Sequence, residues 1–197
     1  MQNQTLIYYN THALDFVSAT ANVNFDVIQE RFFSYLPSSA FILDFGCGSG
    51  RDTKYFLSRG YKVEAMDGSE KLCEIASKYT GIKVQQELFS DLNVQEKYDG
   101  IWACSSILHL PKLELKDVLK KMLIALKANG WIYTSFKLGT FEGMRNERYF
   151  TDFTIDTFED FVQNMECLKI QENMKSILRF QIRLILRRFY KCRFIIF

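Results

Sequence analysis

Hydrophobic and polar positions follow two different periods along the first two thirds of the chain. Apolar residues at helical spacing predict helices over Ala13–Ala19 and Phe25–Leu36, and Pro37 follows where the second helix ends. The next segment, Ala40–Phe45, is a short and nearly continuous apolar run, which is typical of a buried parallel strand. The pattern therefore predicts two helices in front of a sheet.

Strands and helices continue to alternate up to residue 136. Helices are predicted over Asp52–Ser58, Leu72–Tyr79 and Leu115–Leu126, with a stop at Asn129-Gly130, and strands over Tyr61–Asp67, Ile82–Gln85, Asp99–Cys104 and Trp131–Phe136. Regular alternation predicts an α/β fold with a doubly wound, mostly parallel sheet flanked by helices. Ligands of such sheets bind beyond the carboxyl ends of the strands, so the chemistry is expected there.

Composition limits the classes of protein to which this chain can belong. The 25 Lys and Arg residues nearly balance 23 Asp and Glu residues, so no overall positive field attracts nucleic acid. Five scattered cysteines without a Cys-x-x-Cys pair, together with two histidines, indicate a reducing, cytoplasmic setting with no metal site. The N-terminus lacks an export pattern, and no apolar run reaches the roughly 18 residues that span a bilayer. Neither export nor membrane insertion is expected.

A glycine-rich turn follows the first predicted strand. The turn consists of Gly46, Cys47, Gly48, Ser49 and Gly50. Glycines at this place let backbone N–H groups approach a ligand, but nicotinamide, flavin and methionine-derived cofactors all use such turns. Asp44 would repel a pyrophosphate, whereas S-adenosylmethionine carries an ammonium and a sulfonium and no phosphate. Asp67 ends the second strand and can accept both ribose hydroxyls; turn capping is the alternative role for both acids.

The segment ILDFGCGSGRDTKYFLSRGYKVEAMDGSEKLCEIAS resembles motifs I and II of class I S-adenosylmethionine-dependent methyltransferases, in particular small bacterial tellurite-resistance-type and general methyltransferase domains. The similarity continues through KYDGIWACSSILHLPK and LKANGWIYTSFK and covers about Tyr8 to Ile170. It implies that the three glycines surround the methionine part of the cofactor, that Asp44 holds the ammonium directly or through water, and that Asp67 holds the ribose. Further cofactor contacts are expected from Cys47, Ser49, Gly68 and Cys104.

One position departs from the family pattern. Many relatives have an aspartate after the third strand that binds the adenine amino group, whereas this chain has Leu88 there. We expect the backbone at Leu88 and Phe89 and apolar packing from Met66 and Phe89 to hold the adenine instead.

Methyl transfer from S-adenosylmethionine needs no covalent enzyme intermediate, because a sulfonium is already an activated methyl donor. The protein has to place a nucleophile in line with the S–CH₃ bond and exclude water. His109 is the candidate general base, with a structural turn role beside Pro111 as the alternative. Candidate acceptor-binding residues are Tyr9, Ser105, Lys137 and Arg148; packing and surface ion pairs are their alternative roles.

The expected organisation is one methyltransferase domain over residues 1–170. It comprises N-terminal helices in 1–39, a cofactor-binding core in 40–136, and an acceptor-side lid with a helix in 137–170. Residues 171–197 carry seven Lys or Arg against one acid and form the last sheet strands, an amphipathic helix or an aberrant end. A membrane-surface or nucleic-acid role of this tail is the alternative.

Three functions remain open at this level. The first is methyl transfer from S-adenosylmethionine to a small molecule. The second is a nicotinamide-dependent oxidoreductase, which Asp44 and the short glycine spacing disfavour. The third is a non-catalytic cofactor-binding or interaction protein, suggested by the tail. The acceptor itself is not specified: oxyanions of tellurium or selenium, thiols, carboxylates, amines and bases all fit, although no basic stripe favours nucleic acid.

Overall fold

The structure is a computed structural model that describes residues 2–163, 165, 168–176 and 181–188. The helices within these ranges are α1 (Gln2–Thr11), α2 (Ala13–Thr20), α3 (Asp26–Phe33), α4 (Arg51–Ser58), α5 (Glu70–Thr80), α6 (Lys112–Ala125) and α7 (Ile155–Gln163). The strands are β1 (Phe41–Phe45), β2 (Lys62–Asp67), β3 (Gln85–Gln86), β4 (Tyr98–Ala103), β5 (Leu126–Lys137), β6 (Glu142–Arg145), β7 (Arg148–Thr151), β8 (Leu168–Ser176) and β9 (Gln181–Arg188).

Seven of these strands form one sheet in the order β3-β2-β1-β4-β5-β9-β8. The first five are parallel to one another, whereas β9 runs antiparallel to β5 and β8 antiparallel to β9. Strands β6 and β7 form a separate antiparallel hairpin. The doubly wound, mostly parallel sheet predicted from the alternation of elements is confirmed.

Both faces of the sheet are covered, which explains why its strands are apolar throughout. Along β1, Ile42 packs with Phe32 of α3 and Phe56 of α4, and the next residue, Leu43, packs on the opposite face with the cluster that includes Leu119 of α6. Successive strand residues point to opposite faces, so a strand buried on both sides must be hydrophobic at each of them. The carboxyl ends of β1, β2 and β4 are thereby held at one edge.

Three elements differ from the sequence prediction. The pattern gave no helix before Ala13, yet α1 occupies residues 2–11; its apolar residues do not follow one face, since Ile7 is 57% exposed while Thr5 is buried. The third strand was predicted over Ile82–Gln85 and lies at Gln85–Gln86. Helix α6 ends at Ala125, because β5 already begins at Leu126 and passes through Asn129-Gly130, where the expected stop becomes an irregularity in the β4–β5 pairing.

The basic tail contributes β8 and β9, so β8 crosses the boundary expected at residue 170. The remainder of that tail, residues 177–180 and 189–197, lies outside the described residues, as do Cys167 and Cys192. None of the helices in the described ranges has the length and apolar character required to cross a bilayer.

Candidate functional site

A cavity of about 260 Å³ opens beyond the carboxyl ends of β1, β2 and β4. The glycine turn and Asp67 line one side, and α1 together with the β6–β7 hairpin lines the other. Of the residues singled out in the sequence, the cavity wall contains Tyr9, Gly46, Cys47, Gly48, Ser49, Asp67, Gly68, Leu88, Phe89, Cys104, Ser105, His109, Lys137 and Arg148. Asp44, Gly50 and Met66 are the three that do not line it.

The glycine turn depends on positive φ angles and on close packing. Gly46, Gly48 and Gly50 have φ angles of 83°, 56° and 79°, a region that residues with a Cβ rarely adopt. A Cβ added to Gly46 would lie 2.5 Å from the Cβ of Ser106, and one added to Gly50 would lie 2.8 Å from Cγ2 of Thr80. The turn can therefore present its backbone to the cavity only with glycine at these positions.

The Asp67 carboxylate lies beside this turn at the end of β2. It accepts hydrogen bonds from the backbone amides of Gly48 and Ser69, both at 2.9 Å. Burial raises the pKa of Asp67, while the same amides act in the opposite direction. A carboxylate fixed at both oxygens and exposed to the cavity is well placed to accept hydrogen bonds from a diol.

Asp44 lies behind the turn and is only 2% exposed. Its carboxyl accepts a hydrogen bond of 2.5 Å from the Thr53 hydroxyl, and burial raises its pKa to about 8. In this arrangement Asp44 joins β1 to α4 and does not line the cavity. Of the two expected modes of contact with a cofactor ammonium, direct or through water, this position favours the indirect one.

Arg51 is a cavity residue that the sequence analysis missed. Its guanidinium makes two hydrogen bonds of 2.8 Å to Asp52, which also accepts from Gln29 at 2.6 Å and from the Trp102 indole at 2.8 Å. The Phe25 ring lies 4.3 Å from the guanidinium carbon. Asp52 thus fixes Arg51 beside the glycine turn, where a guanidinium can bind a carboxylate. The adjacent Arg-Asp pair directly after the glycines was the available signal.

Two of the three residues expected to contact the adenine lie in the cavity wall. Leu88 and Phe89 line the cavity, but Met66 is 2% exposed and packs in the core instead. The Leu88 amide already donates to the Asp91 carboxylate at 3.1 Å. Leu6 and Leu72 line the cavity as further apolar residues. This end of the cavity therefore offers mainly apolar surface.

His109 and Tyr9 meet at the opposite end. The His109 Nδ1 lies 2.6 Å from the Tyr149 carbonyl oxygen, which can only accept, so Nδ1 carries the proton. Nε2 then accepts the hydrogen bond of 2.8 Å from the Tyr9 hydroxyl. Burial lowers the pKa of His109 to about 4. The imidazole is therefore neutral, and although it lies in the cavity wall, both of its nitrogens are occupied.

Helix α1 connects this pair to the cofactor side. Besides Tyr9, its Thr5 hydroxyl accepts from the Tyr149 amide at 3.0 Å, and its Asn10 accepts from the Ser69 hydroxyl at 2.7 Å. The cavity is thus closed by a helix that contacts both the hairpin and the start of α5. No group of three or more potential metal ligands occurs in the described part of the chain.

Known proteins are similar to this chain in sequence. A family model described as a methyltransferase domain matches residues 42–130. An uncharacterized methyltransferase of Staphylococcus carnosus is 28% identical over 89 residues, which are 45% of this chain and 43% of that protein. The probable S-adenosyl-L-methionine-dependent methyltransferase TehB of Haemophilus influenzae is 24% identical over 142 residues, or 69% of this chain and 49% of that protein. The chain thus spans less than half the length of these curated relatives.

A solved structure shows the same fold. The 1,6-didemethyltoxoflavin-N1-methyltransferase of Burkholderia thailandensis, with bound 1,6-didemethyltoxoflavin and S-adenosylhomocysteine, superimposes with a TM-score of 0.69 at 18% identity, covering 94% of this chain and 90% of that one. These comparisons support the resemblance to class I S-adenosylmethionine-dependent methyltransferases that the sequence indicated, and residues 42–130 are the part that matches a methyltransferase domain. The cofactor of this class, S-adenosylmethionine, is the one that the glycine turn and its acids predicted.

Proposed function

We propose that this protein transfers the methyl group of S-adenosylmethionine to a small-molecule acceptor by in-line displacement. The observation that carries the proposal is that one cavity joins the glycine turn and Asp67 to the Tyr9–His109 pair. Its volume of about 260 Å³ is close to that of pockets for small ligands. The solved relative described above also holds a small molecule.

The cofactor fits the turn side of this cavity by its charges and hydrogen-bonding groups. The Asp67 carboxylate would accept the ribose hydroxyls, and the backbone of Gly46 and Gly48 would surround the methionine part. Arg51 would bind the methionine carboxylate, since its guanidinium is held beside the turn by Asp52. Asp44 would support the turn from behind through Thr53 and act on the ammonium only through intervening groups.

The acceptor would lie against Tyr9. We assign His109 a positioning role rather than that of a general base, because a neutral imidazole with a lowered pKa holds the Tyr9 hydroxyl in place but takes up a proton poorly. Bound S-adenosylmethionine would supply an activated methyl group and leave as S-adenosylhomocysteine with the electron pair on sulfur, while Tyr9, held by His109, would orient a lone pair of the acceptor toward that methyl group. Orientation and exclusion of water then supply most of the acceleration.

A coupled assay for S-adenosylhomocysteine release across a panel of thiols, carboxylates, amines, phenols and oxyanions tests this function. We expect release that depends on one acceptor class, with mass detection of a product heavier by one methylene unit. Fluorescence titration with reduced nicotinamide dinucleotide serves as the counter-test. Tight binding of that dinucleotide, without S-adenosylmethionine binding, would contradict the proposal. The reducing, cytoplasmic setting stays a prediction that rests on cysteine usage.

A further inference from the structure

Positive charge is concentrated around one aromatic ring on the wall opposite the glycine turn. Three cationic groups lie against the Phe150 ring, at distances from its centroid of 4.5 Å for Lys137 Nζ, 4.6 Å for Arg145 Cζ and 5.3 Å for Arg148 Cζ. Arg145 is neutralised by Asp152 through two hydrogen bonds of 3.0 Å. The remaining two cations therefore decide the charge of this wall.

Lys137 and Arg148 both line the cavity, and no carboxylate among the described side chains lies within 4.0 Å of either. The buried Nε of Arg148 has no hydrogen-bond partner in the part of the chain that the structure describes. Arg51, the third cation of the cavity wall, differs because Asp52 pairs with it. The two cavity cations without a salt bridge are thus both on the acceptor side, although Asp152, which pairs with Arg145, also attracts Lys137.

Two like charges on a half-buried wall repel each other, and the aromatic faces beside them compensate for this repulsion only in part. The Tyr8 ring centroid lies 4.3 Å from the Arg148 guanidinium carbon, so Arg148 is held between Tyr8 and Phe150. Its guanidinium also hydrogen-bonds Tyr9, whereas its Nε has no partner among the described residues. An anion placed between Lys137 and Arg148 would remove the repulsion and satisfy that Nε donor.

We propose that Lys137 and Arg148 bind a carboxylate or phosphate group of the methyl acceptor. This inference rests on the proposed function and names its substrate class: a small organic acid whose anionic group lies at Phe150. Leu108 and Leu110 add apolar surface to the cavity, which suits an acid with an apolar or aromatic body. The methyl-accepting atom would then lie toward Tyr9.

Calorimetry on the full chain saturated with S-adenosylhomocysteine tests the proposal, because the cofactor's own carboxylate is then already bound. The probes are benzoate, phenyl phosphate and the neutral benzamide. We expect at least one acid to bind about 10-fold or more tightly than benzamide, and the comparison of the two acids to distinguish carboxylate from phosphate. Lys137→Met and Arg148→Gln should each lower the binding affinity for that acid by about 10-fold and leave the affinity for S-adenosylhomocysteine unchanged.

Lys62→Met is the matched control, since Lys62 Nζ also lies over an aromatic ring, 4.3 Å from the Phe41 centroid, but outside the cavity. It should leave all affinities unchanged. Equal binding of benzoate and benzamide, no binding of either acid at millimolar concentration, or unaltered acid affinity in both cavity variants would overturn the proposal. Loss of S-adenosylhomocysteine affinity in both variants would do so too, because the two cations would then bind the cofactor. If the unaltered chain fails to bind S-adenosylhomocysteine, the proposed function itself is contradicted.

Discussion

The Asp67 carboxylate accepts a hydrogen bond of 2.9 Å from the Gly48 amide, which joins the end of β2 to the middle of the glycine turn. Its other oxygen accepts from the Ser69 amide at the start of α5. One side chain therefore connects the turn, a strand and a helix at the point where the cofactor is expected to bind.

Asp67→Asn should lower the affinity for S-adenosylmethionine by about 10- to 100-fold, since hydrogen bonds to a charged acceptor are worth roughly 1.5–3 kcal/mol. Isothermal titration calorimetry measures the change, and a thermal melt checks that the variant is folded. Asp117→Asn, at an exposed acid of α6, is the control and should bind as the unaltered protein does. Unchanged affinity in Asp67→Asn would show that the Asp67 carboxylate does not contribute to binding of S-adenosylmethionine.

Two glycine substitutions separate two contributions to stability: the loss caused by a steric clash of an added Cβ and the loss caused by a positive φ angle. Gly50→Ala places a Cβ 2.8 Å from Thr80 at a φ of 79°, whereas Gly60→Ala has a φ of 85° and no atom within 4 Å. We expect Gly60→Ala to lower the free energy of unfolding by about 1–2 kcal/mol, and Gly50→Ala by about 1–3 kcal/mol more. Chemical denaturation measures both, and equal losses would show that α5 yields to the added methyl.

Tyr9→Phe should reduce kcat by about 10- to 100-fold with whichever acceptor the panel identifies, and leave S-adenosylmethionine affinity intact. The ring that packs against Phe16 is kept, and only the hydroxyl that donates to His109 is lost. Tyr8→Phe, one residue earlier on the same helix, is the matched control. If both variants turn over at the rate of the unaltered enzyme, the Tyr9 hydroxyl has no part in the reaction.

His109 should make stability depend on pH. Burial lowers its pKa from 6.5 to about 4, so between these pH values the unfolded chain binds a proton that the native protein does not. The free energy of unfolding therefore falls as the pH decreases from 6.5 toward 4, and this contribution is complete above 6.5.

Denaturation at pH 7 and pH 5 tests this expectation. His109→Gln should be less stable than the unaltered protein at pH 7 but lose less stability on going to pH 5. His12→Gln changes the other histidine, which is 42% exposed, and should keep the full pH dependence. The same dependence in all three proteins would show that His109 is not its source.

The sequence patterns predicted those site residues that lie close to one another along the chain. The apolar run before the turn, the glycines and Asp67 lie within one strand–helix–strand unit, so their spacing carries the information. The Tyr9–His109 contact joins residues 100 positions apart, and only the fold brings them together. The sequence proposed both residues as separate candidates, His109 as a general base or a structural turn residue, but it did not show the hydrogen bond on which our proposed positioning role rests.

The differences between the predicted and the observed helices and strands also have physical causes. Helix α1 has no apolar stripe because it lies across the cavity mouth, where its contacts are made by Thr5, Tyr9 and Asn10 as much as by apolar side chains. The helix stop expected at Asn129-Gly130 is overridden by pairing: Leu126 already lies beside Tyr98 of β4, and the strand then adjusts through Asn129 at a φ of 62°. Neighbouring strands, which a local pattern does not contain, decide such boundaries.

Because α1 contacts the hairpin through Thr5, His109 through Tyr9 and the start of α5 through Asn10, it covers the acceptor side and the cofactor side at once. The two sides therefore do not have separate covers: any displacement of α1 would break its hydrogen bonds to Tyr149, His109 and Ser69 together.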